Sequence, residues 1–240
     1  MKTIGLIGGM SWESSAEYYR IINEETARRL GRFHSARCLM LSVDFAEIEA
    51  LQHQDRWHEL ELRMVDAAQQ LERGGADFLV LCTNTMHRMA NAVERSVAIP
   101  FLHIADPTGR RIREAGITTV GLLATRFTME QDFYRRRLED RYGLAVLTPD
   151  ADGRRIVHEI IYDELVHGDV RSSSRDVYRR AIDNLAERGA QGIILGCTEI
   201  MLLIGEHDSA VPIFDTTSLH AKAAVDFALA VDETASALKS

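Results

Sequence analysis

Basic residues are outnumbered in this chain: 28 Lys and Arg stand against 36 Asp and Glu, a formal charge of −8. Nucleic-acid binding rests on clustered cations that neutralise phosphates, so this balance excludes it as a main task. The clustered exceptions, Arg110-Arg111 and Arg135-Arg136-Arg137, have acidic residues between them and read as solvated helix faces. Long apolar runs are also missing. None approaches the roughly 20 residues that span a bilayer, and Lys2-Thr3-Ile4-Gly5 enters a strand with no signal-peptide pattern. Cysteine is limited to three, an odd number without framework spacing, which excludes a disulfide scaffold and points to free thiols in the cytoplasm. Short-interval Cys/His pairs are absent, and His103, His158 and His220 lack ligand spacing, so no metal is expected. At 46% apolar, the 240 residues suffice for one large domain or two of about 100–120 residues.

What the chain does contain is a repeat. Leu81-Cys82-Thr83-Asn84-Thr85-Met86-His87 has an echo in Leu195-Gly196-Cys197-Thr198-Glu199-Ile200-Met201. Upstream, Gly75-Ala76-Asp77-Phe78-Leu79-Val80-Leu81 aligns without gaps on Gly189-Ala190-Gln191-Gly192-Ile193-Ile194-Leu195. Gly5-Leu6-Ile7 likewise returns as Gly121-Leu122-Leu123, and Ile99-Pro100 as Val211-Pro212. The separations are 116, 114 and 112 residues, a drift small enough to read as duplication with short deletions.

Periodicity places strands at 3–7, 37–43, 78–81, 99–104, 119–125, 146–147, 192–195 and 211–214. Helices are expected at 14–30, 57–73, 86–93, 127–142, 154–166, 174–188, 198–204 and 218–238, with shorter pieces after 44 and 106. The fold class is therefore α/β: two pseudo-symmetric parallel-sheet α/β domains facing across a cleft. The first half takes residues 1–105 plus a C-terminal helix, 216–240; the second takes 106–215. Gly5-x-x-Gly8-Gly9 departs from the dinucleotide fingerprint and has no acidic residue ending a second strand on cue, so a nucleotide is not expected.

Ligands of parallel sheets sit beyond the carboxyl ends of the strands, which puts positions 83 and 197 on opposite sides of a cleft. A thiol between a strand end and a helix start is exposed to helix N–H groups that lower its pKa from about 8.5 towards neutrality. That is the expectation for Cys197, with a helix opening at Thr198-Glu199-Ile200. Proton-transferring groups on two sides suit one operation: one takes a proton from a carbon and the other delivers a proton to the opposite face.

These motifs, with Gly8-Gly9-Met10-Ser11-Trp12 and Pro212-Ile213-Phe214-Asp215, resemble the aspartate/glutamate racemases over nearly the whole chain, close to the L-aspartate/glutamate-specific or broad-specificity bacterial type. The resemblance implies cofactor-independent racemisation, two pseudo-symmetric halves each supplying one catalytic residue, and a homodimer. It sets Met10, Asn84, Thr85, Thr198 and Glu199 around the substrate. The family's usual first motif is Cys-Asn-Thr-Ala-His. Aligned on Asn84, Thr85 and His87, it puts Thr83 at the catalytic cysteine position, as the internal repeat does independently. Strand neighbours face opposite ways, so Thr83 is favoured over Cys82 as the partner of Cys197; a bulge would reverse that choice. A hydroxyl is a poor base, so Cys197 is expected to be the competent one.

Substrate identity stays open at this level. Acidic-substrate members hold the side-chain carboxylate with a basic residue whose counterpart falls near Ile156, beside Arg154 and Arg155; Gln52 is the first-half contributor. Aspartate, glutamate and a small neutral amino acid such as homoserine all fit. Bland readings go to His87 as a structural histidine, with orientation of the site as its second reading, to Asp44, Asp106 and Asp215 as caps or turn residues, and to Cys38 as core. Two alternatives remain: a one-cysteine decarboxylase or isomerase of the same superfamily, and a two-lobed small-molecule binding protein.

Overall fold

The computed structural model describes residues 1–230. In chain order the first half runs β1 (Ile4–Gly8), α1 (Trp12–Leu30), β2 (Cys38–Ser42), α2 (Phe45–His53), α3 (Trp57–Arg73), β3 (Phe78–Leu81), α4 (Ala90–Ser96) and β4 (Phe101–Leu102). The second runs α5 (Ala105–Glu114), β5 (Thr119–Ala124), α6 (Arg126–Glu130), α7 (Asp132–Tyr142), β6 (Ala145–Leu147), α8 (Ala151–Asp163), α9 (Ser172–Glu187), β7 (Ile193–Gly196) and β8 (Ile213–Asp215). A last helix, α10 (Thr216–Leu229), follows.

Each half is a four-stranded parallel sheet, ordered β2-β1-β3-β4 in one and β6-β5-β7-β8 in the other. Every strand connection is therefore a crossover, and the covered faces require the apolar runs that the sequence supplies. The duplication extends to the pairing register: Gly5 lies opposite Leu79 as Gly121 lies opposite Ile193. Leu79 likewise faces Phe101 as Ile193 faces Ile213. Glycine at the first of these positions has a steric cause. A Cβ on Gly5 would come 2.8 Å from Ala76 Cβ, and one on Gly121 would come 2.7 Å from Ile193 Cδ1.

Apolar burial falls into three clusters. One fills the second half around β5 and β7, and another lies on the α3 side of the first sheet. The third joins Leu6, Tyr18, Ile22 and Val80 to the small face of α10, Ala221, Ala224 and Ala228. The chain thus returns to the first half through α10. The expected extension of this helix to 238 lies beyond the described residues. Among the described residues no helix is long and apolar enough to cross a membrane.

Three helix expectations change. The helix expected at 127–142 is broken at Gln131, whose extended backbone ends α6; Asp132 then starts α7 with ion pairs to Arg135 and Arg136 that favour a new helix N-terminus. Residues 86–93 begin as a 3₁₀ turn, Thr85–Met89, before α4. No α-helix forms at 198–204, where only a 3₁₀ turn, Ile200–Leu202, follows β7. There the side chains of Thr198 and Glu199 bond sideways into the cleft instead of lying along a helix.

Candidate active site

The carboxyl ends of β1, β3, β5 and β7 meet around a narrow cavity. Met10, Gln52, Thr83, Asn84 and Thr85 line it from the first half, and Cys197, Thr198 and Glu199 from the second. Every site residue expected from sequence is there except Cys82.

Cys82 is separated from its neighbour by a sharp bend. The N–H of Cys82 continues the ladder to Ile7 O, while the N–H of Thr83 donates to Leu81 O at 2.9 Å, two residues back. This tight turn sends the Cys82 side chain into the α1/α10 core, where it is fully buried among Leu6, Tyr18 and Val80. Burial there drives its thiol pKa far up. Thr83 emerges on the cavity side.

Cys197 differs from expectation in its electrostatics. Its thiol donates to Glu199 Oε2 at 2.9 Å. Burial, the Glu199 charge and that hydrogen bond together hold the thiol well above its ordinary pKa, outweighing the backbone N–H groups of Thr198 and Glu199 that act the other way. The expected lowering by a helix N-terminus is overturned, because no such helix forms and a carboxylate lies in contact.

Glu199 is 2% exposed and takes four donors. Ser11 Oγ and Ser14 Oγ reach Oε1 at 2.8 and 2.5 Å, and Cys197 Sγ and Thr198 Oγ1 reach Oε2, both at 2.9 Å. Two donors per oxygen saturate a carboxylate without a cation. Ser11 caps α1, so Glu199 crosses the cleft to the N-terminus of a helix in the other half, where its charge is favoured. The repeat has a neutral version of this contact. Thr85, the counterpart of Glu199, reaches across to Thr125 Oγ1 at 2.9 Å and Thr128 Oγ1 at 3.4 Å. Thr125 caps α6 as Ser11 caps α1. All three pairs are offset by 114 residues. The two halves are held by related cross-cleft contacts, one anionic and one neutral.

Asn84 gives Nδ2–H to Thr216 Oγ1 at 3.0 Å, while its Oδ1 is buried without a partner. A 2%-exposed acceptor in the cavity wall suits an ammonium donor. Gln52 accepts from Tyr162 OH at 2.8 Å, a further bond between the halves. Its amide otherwise meets only Met86 Sδ at 3.4 Å.

The basic residues near Ile156 do not enter the cavity. Arg154 pairs with Glu130 and the Pro149 carbonyl, Arg155 pairs with Glu159 on the surface, and Ile156 packs on the second-half core. Among the described residues no Lys or Arg lines the cavity, and no group of three His, Cys, Asp or Glu is disposed to hold a metal. Asp44 and Asp215 cap α2 and α10; Asp106 instead lies inside α5 and holds Arg137 through two bonds of 2.7 Å. Cys38 is half-buried on edge strand β2, beside the core rather than within it.

Sequence reading missed Ser11, Ser14, Thr125 and Thr128 as members of the site, though the 114-residue offset links Ser11 to Thr125 and Ser14 to Thr128. It also missed the apolar wall of Phe45, Ile161, Tyr162 and Val166. At helical spacing, Ile161, Tyr162 and Val166 look like ordinary core.

Behind Thr83 lie three buried imidazoles. His87 is centred 4.5 Å from His103 and 5.9 Å from His220. Burial lowers all three pKa values, that of His220 to about 4. The unfolded value is about 6.5, so the unfolded chain binds more protons between these limits. Stability is thus fully present above about pH 6.5 and is lost as pH falls towards about 4, His220 alone contributing on the order of 3 kcal/mol. Thermal melts from about pH 7.5 to about pH 4.5 should show this fall, and His220→Gln, which keeps a donor for Leu102 O, should flatten it. Equal slopes in the two proteins would rule His220 out as the source.

The sequence pattern of the Asp/Glu/hydantoin racemases matches residues 7–224. The crystal structure of a candidate Asp/Glu racemase from Yersinia pestis is similar at 51% identity and a TM-score of 0.89, covering 96% of this chain and all of that one. An aspartate racemase homologue from Pyrococcus horikoshii OT3 is 31% identical, with a TM-score of 0.82 over 95% of this chain and 99% of its own. The broad-specificity amino-acid racemase RacX of Bacillus subtilis is 25% identical over 179 residues, 72% of this chain and 74% of RacX. With a racemase pattern over most of its length and two like strand ends closing on one cavity, the chain belongs to the Asp/Glu/hydantoin racemase family and is an amino-acid racemase.

Proposed function

We propose that the enzyme racemises, without a cofactor, an amino acid whose side chain is uncharged, exchanging the α-proton between Cys197 on one face and Thr83 on the other. The observation that carries this reading is the cavity itself: a thiol and a hydroxyl from equivalent strand ends in a wall with no Lys or Arg among the described residues. An acidic side chain buried there would lack a cation and face the Glu199 carboxylate, a costly arrangement. Gln52 and Tyr162 offer partners to a hydroxyl or an amide, which favours a substrate of the homoserine type over aspartate or glutamate.

In the proposed cycle the α-ammonium meets Asn84 Oδ1, and hydroxyls of Thr85 and Thr125 receive the α-carboxylate. Cys197 passes its thiol proton to Glu199 and, as thiolate, takes the α-proton from carbon. The negative charge that develops on the substrate is stabilised by the neighbouring hydroxyls. Thr83 delivers its own proton to the opposite face, and the proton held by Glu199 returns to Thr83 through water. At an equilibrium constant of unity kcat/KM must be equal in both directions. The inequality of the two groups therefore appears as α-proton exchange without inversion, confined to the enantiomer that faces Cys197.

The three unpaired cysteines support a cytoplasmic setting. Trp12, Tyr19 and Phe33, all exposed on or just after α1, support the homodimer. The test of function is a panel of L- and D-amino acids in heavy water followed by proton NMR. Loss of the α-proton signal from homoserine and small neutral amino acids, with aspartate and glutamate slower, is expected. Faster exchange of aspartate and glutamate would overturn the side-chain assignment, and no exchange across the panel would overturn the proposed mechanism.

A further inference from the structure

The two catalytic strand ends are equivalent in sequence position, but their carbonyls are held differently. On the thiol side, Cys197 O accepts the backbone N–H of Ile200 at 3.2 Å. On the hydroxyl side, Thr83 O is bonded by the imidazole Nδ1 of His87 at 2.7 Å. The residue 114 positions after His87 is Met201, so the second half has no histidine at this place. The His87 tautomer is fixed by its other nitrogen. Ile104 N–H, at the start of α5, donates to Nε2 at 3.1 Å, so Nε2 is an acceptor and the proton is on Nδ1, aimed at Thr83 O. His87 is 2% exposed and does not line the cavity.

We infer that His87 is a positioning residue for the hydroxyl side of the reaction: through its neutral imidazole it locks the Thr83 backbone to the start of α5 and thereby aims the Thr83 hydroxyl. This inference rests on the proposed pairing of Thr83 with Cys197. The Thr83 side chain follows a tight turn at Cys82, where no ladder bond fixes the next peptide, so the carbonyl clamp sets its direction. Cys197 needs no such clamp, because its carbonyl is held by backbone and its thiol by Glu199. The groups that face His87 also oppose its charging. His103 and His220 pack against its ring, Arg137 adds positive charge nearby, and protonation at Nε2 would set two N–H groups against each other.

The readout separates the two sides. In heavy water, the enantiomer facing Cys197 exchanges its α-proton either with retention, which needs only the Cys197–Glu199 side, or with inversion, which also needs Thr83. His87→Leu should lower inversion about 10- to 100-fold, the usual effect of a catalytic group displaced by about an ångström, and leave exchange with retention within about twofold. His87→Asn, whose amide N–H can stand where Nδ1–H does, should recover a large part of the inversion. The ratio of inversion to retention in the wild type should stay level from about pH 6 to about pH 9, since the imidazole is neutral throughout. Equal loss of both rates in His87→Leu would reduce His87 to a fold-stabilising residue and overturn the inference, as would a titration of the ratio near pH 6.5. Thr83→Ala in the same assay isolates the underlying reading: if it leaves inversion intact, the Thr83–Cys197 pairing itself fails, whatever the His87 variants do.

Discussion

Cys197→Ala is expected to reduce both α-proton exchange and inversion by about 10³- to 10⁴-fold, the range that loss of a positioned proton-transfer group and nucleophilic base spans. The effect should be this large because no other ionisable group stands ready to replace the thiol. Among the described residues the only other acidic side chain in the cavity wall is Glu199, which in the variant is still held by Ser11, Ser14 and Thr198. The variant should still fold. It removes one donor from Glu199 and one sulfur from a site that is 8% exposed, a change of about 1–2 kcal/mol. Cys82→Ala is the contrast. It deletes a fully buried sulfur between β3, α1 and α10, so it should cost roughly 1–2 kcal/mol in stability while leaving exchange rates near wild type. Proton NMR in heavy water measures both variants, with thermal melts alongside. If Cys82→Ala abolishes exchange while Thr83→Ala spares it, the assignment of Thr83 to the hydroxyl side is wrong.

Which of residues 82 and 83 faces the cavity was legible because duplication supplies an internal alignment. The offset of 114 residues matches Thr83 to Cys197, and the pairing of β1 with β3 and of β5 with β7 repeats that register. The electrostatics of Cys197 were not legible in the same way. They turn on where the Glu199 side chain points, and that is settled by Ser11, 188 residues away in sequence. Local pattern suggested a helix from 198, but a cross-cleft hydrogen bond displaced it, and with the helix went the field expected to acidify the thiol. Tyr162 was hidden for another reason. On α8 it occupies a spacing that any packed helix shows, and only the approach of α2 from the other half, with Gln52, makes it part of the site.

The two cross-cleft contacts show how duplication has been turned into asymmetry. A strand-end side chain from each half reaches the start of a helix in the other: Thr85 to Thr125 and Thr128, Glu199 to Ser11 and Ser14. The charged version stands beside the thiol and the neutral one beside the hydroxyl. In the proposed cycle this provides a proton acceptor where a thiol must lose its proton, and withholds one where the substrate carboxylate would be repelled by it.

That arrangement makes Glu199→Gln the second decisive variant. Replacing one oxygen by an amide leaves a single full acceptor for the four donors that now surround the group. Ser11, Ser14 and Thr198 can rotate to accept from the new N–H, so the stability loss should stay at about 1–3 kcal/mol. Catalysis should suffer more. Without an anionic acceptor the Cys197 proton has nowhere to go within the pair, and exchange near pH 7 should fall about 10²-fold. The pH dependence carries the sign of the effect. The Glu199 charge and its hydrogen bond raise the thiol pKa, so removing them brings the thiol down towards its ordinary range. In Glu199→Gln the rate should therefore climb steeply with pH as free thiolate forms, while in the wild type the proton passes inside the pair and the rate near neutrality depends less on pH. Heavy-water exchange rates from about pH 6 to about pH 9 give both profiles. Full activity of Glu199→Gln at pH 7, with an unchanged profile, would mean that Glu199 serves only to tie the two halves together, and the thiol would then need another route for its proton.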